Sequence, residues 1–124
     1  METILKIVIM GEERVGKTNI ASRMMDNQFE HSYHSTHGVS FNMKKMVLRG
    51  SSNEFTIHIW DSSGQPLFKP MTKTIYRDAP IVLVVFNITD RKTYEEGINY
   101  WIKSIKETCV KTNPLICLVQ IIVN

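Results

Sequence analysis

Cysteine, proline and glycine are all scarce in this chain, and no apolar run is long. Six glycines and four prolines among 124 residues exclude a collagen-like or low-complexity protein. The two cysteines, Cys109 and Cys117, have neither the spacing of a zinc site nor the density of a disulfide scaffold. They read as two reduced thiols of an intracellular protein. The longest apolar stretches, such as "PIVLVVF", are far too short to span a bilayer. The N-terminus has no basic region leading into a long apolar one, so no secretory signal is expected. No internal repeat is visible.

What is present suits one compact domain, residues 1–124, that buries roughly two thirds of the surface of its unfolded chain. Apolar residues make up 43% and charged residues 22%, with a formal charge of only +3. Basic residues gather at Lys44–Lys45 and are scattered over 69–77 and 103–111. A solvated surface explains them better than a groove for nucleic acid, so none is expected as a partner.

"ILKIVIM" (4–10) is apolar on both faces, rich in Ile and Val, and stops at Gly11. That is the signature of a strand in a parallel sheet covered on both sides. Val15, Ile20 and Met24 then fall at helical spacing and predict a helix from Gly16 to about Asp26. Residues 29–38, with three histidines and no periodicity, read as a loop. "VSFNMKKMVLR" and "EFTIHIWD", joined by "GSSN", predict an antiparallel hairpin. A short helix over 71–78, a second doubly buried strand in "PIVLVVFNITD" and an amphipathic helix from Thr93 to about Val110 follow. "LICLVQIIV" is a third apolar run. Strands alternating with helices predict an α/β layered fold with a mostly parallel sheet.

"GEERVGKT" (11–18) fits the pattern G-x-x-x-x-G-K-[ST] between its required strand and helix. Glycines let successive backbone N–H groups turn toward an anion. The lysine reaches the terminal phosphates, the hydroxyl ligates Mg²⁺, and the helix N-terminus adds a favourable field. Gly11, Glu13, Arg14, Val15, Gly16, Lys17, Thr18 and Asn19 are therefore candidate nucleotide-binding residues. The competing reading is an ordinary glycine turn closing a strand–helix connection.

With that loop in place, "FEHSYHSTHGVSF", "WDSSGQ", "YRDAP" and "FNITD" follow in order, and the chain resembles the Ras-like small GTPases, within them the Rab branch, from about Ile4 to Val119. The resemblance implies a P-loop NTPase fold, three layers α/β/α, here lacking the last strand and helix. It implies GTP and GDP as ligands, Mg²⁺ as cofactor, and effector, exchange and activating proteins as partners in vesicle traffic. By the same likeness Thr36 completes the metal shell with Thr18 and Asp61, and Gly64 contacts the γ-phosphate. Gln65 orients the attacking water. Phe29 packs on the base and Tyr33 covers the phosphates; a loop anchor and a surface tyrosine are the alternatives for these two. Asp61 also reads as a strand-end turn carboxylate. His31, His34 and His37 read as solvated side chains before a metal site. Phe41, Trp60 and Ile75 match the aromatic effector surface of Rab proteins, although hairpin packing explains the first two equally well.

Departures from the family pattern bear on chemistry. Glu13 brings bulk and charge near the γ-phosphate, and Pro66 restricts Gln65 to extended conformations; both predict slow hydrolysis. "HGVSF" replaces the usual "IGVDF". After "LICLV" the family continues with glycine and N-K-x-D, which reads guanine; here stand Gln120, Ile121, Ile122, Val123 and Asn124. Asn124 takes the place of the aspartate, with one acceptor and one donor instead of two acceptors. No C-terminal cysteine pair for prenyl attachment is present, so a cytoplasmic chain with no lipid anchor is expected. The apolar last run predicts an uncovered sheet edge and a shortened gene product. A rival of another class is a catalytically silent interaction module; a small-molecule phosphotransferase is a third.

Overall fold

Strand β1 (Thr3–Gly11) is the centre of a five-stranded sheet. The computed structural model describes residues 3–12, 15–26, 39–47, 49–62, 64 and 69–121. Along the chain follow helix α1 (Lys17–Asp26), β2 (Val39–Val47), β3 (Glu54–Ser62), α2 (Lys69–Tyr76) and β4 (Ile81–Asn87). A helical stretch comes next, made of α3 (Arg91–Glu96), a π-helical turn (Gly97–Ile102) and α4 (Lys103–Thr108), and β5 (Leu115–Ile121) closes the order.

The sheet runs β2-β3-β1-β4-β5, with β2 and β5 at its edges. β1 pairs in parallel with β3 and β4, and β4 with β5; only the β2–β3 hairpin is antiparallel. Alternation sorts the parallel strands into two cores. Val8, Met10, Val82 and Val84 pack with Tyr76, Trp101, Ile105 and Cys109 on one face. Ile9, Ile59 and Val85 pack with Val15 and Ala21 on the other, beside Ile20 and Met24 of α1. Burial on both faces is why these strands read as continuous apolar runs, and it makes the fold a mostly parallel α/β sandwich. Connections from the β1–β3 side cross to β4 and β5 on the other. The C-terminal ends of β1 and β3 therefore lie beside a crevice of the kind where such sheets bind ligands.

Local chemistry explains most boundaries. Asp90 caps α3 by accepting from the Lys92 N–H at 3.1 Å, and the Thr93 hydroxyl donates to the Asp90 carbonyl at 2.8 Å. The long amphipathic helix is present, but its middle is π-helical, so its period slips there. The hairpin also differs from expectation. β2 is exposed on nearly every residue, with Phe41, Met43 and Val47 all open to solvent. Lys44 is not part of a merely solvated pair: its ammonium donates to the Met25 carbonyl at 2.9 Å and to the Met24 carbonyl at 3.4 Å. A cation there satisfies the C-terminal carbonyls of α1 and complements its dipole. Among the described residues no helix is long and apolar enough to cross a membrane.

Both cysteines are free thiols. Cys109 is buried and donates to the Tyr76 carbonyl at 2.9 Å; burial pushes its thiol above the ordinary range, partly offset by the Thr112 hydroxyl. Burial likewise raises the Tyr76 phenol, whose oxygen lies 2.6 Å from Ser104 Oγ. Because thiolate is the reacting form, Cys117 is expected to be alkylated by iodoacetamide well before Cys109 near neutral pH. Labelling of Cys109 should start only as pH rises past the usual thiol range. Peptide mass mapping of a time course reads this, and equal rates would mean the helical face opens readily. Lys44→Met is expected to lower stability by about 0.5–1 kcal/mol in urea denaturation, from loss of the charge on the last turn of α1.

Candidate functional site

The chain leaves β1 at Gly11, where φ is 149°. A Cβ there would lie 2.4 Å from the Val85 carbonyl oxygen, a backbone atom of β4 that has nowhere to go. Only glycine lets the strand end this close to its neighbour and still turn into the loop. Val15 then anchors the loop from below, 1% exposed among Ile9, Ile59 and Val85. Gly16 has φ 96° and starts α1 through its carbonyl, which accepts from the Ile20 N–H at 3.0 Å. Its open side faces the Cδ1 atom of Ile121 at the end of β5.

The first turn of α1 carries Lys17, Thr18 and Asn19 and no acidic residue, so its positive dipole end is not neutralised from within. Lys17 is only 6% exposed, and its ammonium donates to the Glu12 carbonyl, folding the lysine back over the loop. Thr18 donates its hydroxyl to Asp61 Oδ2 at 2.6 Å, across a separation of 43 residues. Asp61 is 1% exposed at the end of β3. The next residue, Ser62, donates to the Ile9 carbonyl at 2.8 Å and pins the end of β3 against β1. The N-terminus of α1, a buried cation, a hydroxyl and a carboxylate thus converge at one mouth of the sheet. A neutral and an anionic oxygen held together form the hard donor pair that suits Mg²⁺ better than a softer metal.

The chain matches the Roc family (Ras of Complex, Roc, domain of DAPkinase) over residues 6–122. It belongs to the Ras-like small GTPases. Among relatives, it is 37% identical over 106 residues to Ras-related protein RabC of Dictyostelium discoideum, covering 86% of this chain and 54% of that one. It is 35% identical over 111 residues to Ras-related protein Rab-18 of Caenorhabditis elegans, covering 90% and 53%. Against Ras-related protein RABA5e of Arabidopsis thaliana the figures are 38% over 105 residues, 85% and 47%. This GTPase-family chain spans about half the length of the curated relatives it matches.

Of the residues picked out from the sequence, the fold brings Gly11, Val15, Gly16, Lys17, Thr18 and Asn19 together with Asp61, and it buries Gly64 shortly beyond β3. Glu13, Arg14, Phe29, Tyr33, Thr36, Gln65 and Pro66, with the three loop histidines, lie outside the described residues. Among the described residues no three His, Cys, Asp or Glu side chains gather as a metal site. Phe41 and Trp60 sit directly opposite in the hairpin, rings 4.6 Å apart, with Phe41 43% exposed and Trp60 half-buried under the Lys6 ammonium. Ile75 corrects the expectation of a third outward residue. It is 8% exposed and packs in the core beside Tyr76, because that face of α2 turns toward β1 and β4. Sequence reasoning missed Trp101, whose indole N–H donates to Glu12 Oε1 at 3.3 Å.

Gly11→Ala is expected to destabilise the protein by about 2–4 kcal/mol, from overpacking against a backbone oxygen and a disfavoured φ. Gly16→Ala meets only the mobile end of Ile121 and is expected to cost about half as much. Urea unfolding of the two variants side by side reads the ranking, and the reverse order would contradict the close approach at Gly11.

Proposed function

We propose that this chain is a Rab-like guanine-nucleotide switch of vesicle traffic, folded as one nucleotide-binding unit over residues 1–124. The pairing of the Thr18 hydroxyl with the buried Asp61 carboxylate, beside the retracted Lys17, carries the reading. Oxygen donors this close at the N-terminus of a helix, below a glycine-lined loop, suit a metal-bound phosphate chain. Lys17 and the loop N–H groups hold the phosphates; Thr18, Thr36 and Asp61 hold Mg²⁺, which neutralises phosphate charge when bound. Thr36 and Gly64 sense the γ-phosphate, Phe29 and Tyr33 flank the nucleotide, and Gln65 positions water.

Turnover is slow in this reading. Glu13 crowds the place that an activating protein's arginine enters, a contribution of about 10³–10⁵ in rate for this class. Pro66 restrains Gln65 on the same side of the reaction. One observation favours a second reading, that of an interaction module with little nucleotide chemistry. Phe41 and Met43 expose apolar surface on edge strand β2, and the Phe41–Trp60 pair is continuous with it.

Titration of the purified protein with fluorescent GDP and ADP, with and without Mg²⁺, separates these readings. Tight, Mg²⁺-dependent, GDP-selective binding with slow phosphate release is expected. Glu13→Gly should then speed single-turnover cleavage by about tenfold or more once an activating protein is added, given the magnitude of the arginine contribution. Absence of binding leaves the interaction module. ADP preference with transfer to an acceptor would establish a phosphotransferase.

A further inference from the structure

We propose that Trp101 is a positioning residue for the phosphate-loop lysine, acting through Glu12; the inference rests on the reading of the loop as phosphate-binding. Glu12 is engaged at both ends. Its side-chain Oε1 accepts from Trp101 Nε1 at 3.3 Å, and its backbone carbonyl accepts from the Lys17 ammonium. Fixing the carboxylate fixes the peptide plane that follows it, and so fixes where Lys17 rests.

Packing alone does not call for this bond. Trp101 is 1% exposed in the core with Val8, Met10 and Val84, and phenylalanine would fill most of that space. The indole N–H instead reaches a loop 89 residues away in sequence. The π-helical turn Gly97–Ile102 makes that reach available, since its wider turn rotates the side chains off the ordinary helical register. At Gly97 the turn lies against β4, where a Cβ would meet Val84 Cγ1 at an ordinary 3.4 Å. Tyr100 meets the Trp101 ring edge-on, centroids 4.8 Å apart, and steadies its orientation.

The arrangement also solves an electrostatic problem. A carboxylate beside a phosphate site repels its ligand unless something draws it aside. Trp101 supplies a donor on the helix side of the loop, so the charge of Glu12 is directed away while its carbonyl faces Lys17. Loss of the indole donor removes one restraint on the carboxylate, and the resting place of the lysine loosens.

The test compares Trp101→Phe, Glu12→Ala and Glu12→Gln, with thermal unfolding as the check that each is folded. Trp101→Phe and Glu12→Ala are expected to weaken fluorescent GDP binding by about tenfold, the scale of one hydrogen bond to a charged group. Glu12→Gln, whose amide oxygen can still accept, restores most of the affinity lost in Glu12→Ala. The double variant Trp101→Phe with Glu12→Ala is no weaker than Glu12→Ala alone. Wild-type affinity in Trp101→Phe, or additive losses in the double variant, would overturn the proposal. A second readout needs no nucleotide: acetylation of Lys17 by an amine-reactive ester, relative to exposed Lys73. It is expected to quicken several-fold in Trp101→Phe and Glu12→Ala, and unchanged ratios would overturn the proposal too. If wild type binds no nucleotide, the switch reading fails while the acetylation ratio still decides this one. Should Trp101→Phe not fold, Glu12→Ala leaves the core intact and gives the same answer.

Discussion

The 2.6 Å contact between the Thr18 hydroxyl and Asp61 joins the start of α1 to the end of β3, and the mouth of the sheet is organised around it. A carboxylate at 1% exposure has lost nearly all its water and must be compensated by hydrogen bonds or charge. Thr18 supplies one such bond from an element that is itself fixed by the loop before it. Through Ser62 the same stretch of β3 is tied to Ile9 of β1, so the carboxylate cannot drift without moving two strands. The start of α1 and the ends of β1 and β3 are thereby tied to one another.

The rest of the site follows from where these elements stand. Parallel strands buried on both faces bring the ends of β1, β3 and β4 together, and the Gly11 approach to Val85 brings the loop over them. A lysine drawn into such a place is costly unless its ammonium is satisfied. Resting on the Glu12 carbonyl meets part of that demand from the loop itself. The Lys17 ammonium, the Thr18 hydroxyl and the start of α1 are in this sense pre-positioned by packing within the fold.

Much of this was legible because it is local. Two doubly buried strands, a glycine loop and a helix at 3.6-residue spacing are patterns within short windows, and β1, β4 and α1 appear where those patterns fall. The Roc match and the Rab relatives support the co-linear motifs beyond the loop. What was not legible is tertiary. The period of 93–110 predicted a plain helix, and nothing in "EEGINYWIK" announces the π turn at Gly97–Ile102. Lys44 looked like half of a solvated pair until the hairpin folded across the end of α1. The likeness to Rab proteins places Ile75 on an outward surface, whereas the face of α2 is set by what lies under it. Trp101 and Glu12 meet only after β1 and the helical stretch pack, and no short window contains both.

The phosphate grip proposed above draws on Gly11 at the end of β1, on Gly16, Lys17 and Thr18 at the start of α1, and on Asp61 near the end of β3. The other side of Gly16 meets the end of β5. There the last described residue is Ile121, whose side chain has no donor or acceptor and whose Cδ1 atom packs on Gly16. Its backbone is also committed, since the Ile121 carbonyl accepts from the Ile88 N–H at 2.9 Å. Ile121 therefore supports the start of α1 from the side. The start of α1 thus takes side support from β5 and its carboxylate partner from β3, two strands on opposite sides of β1.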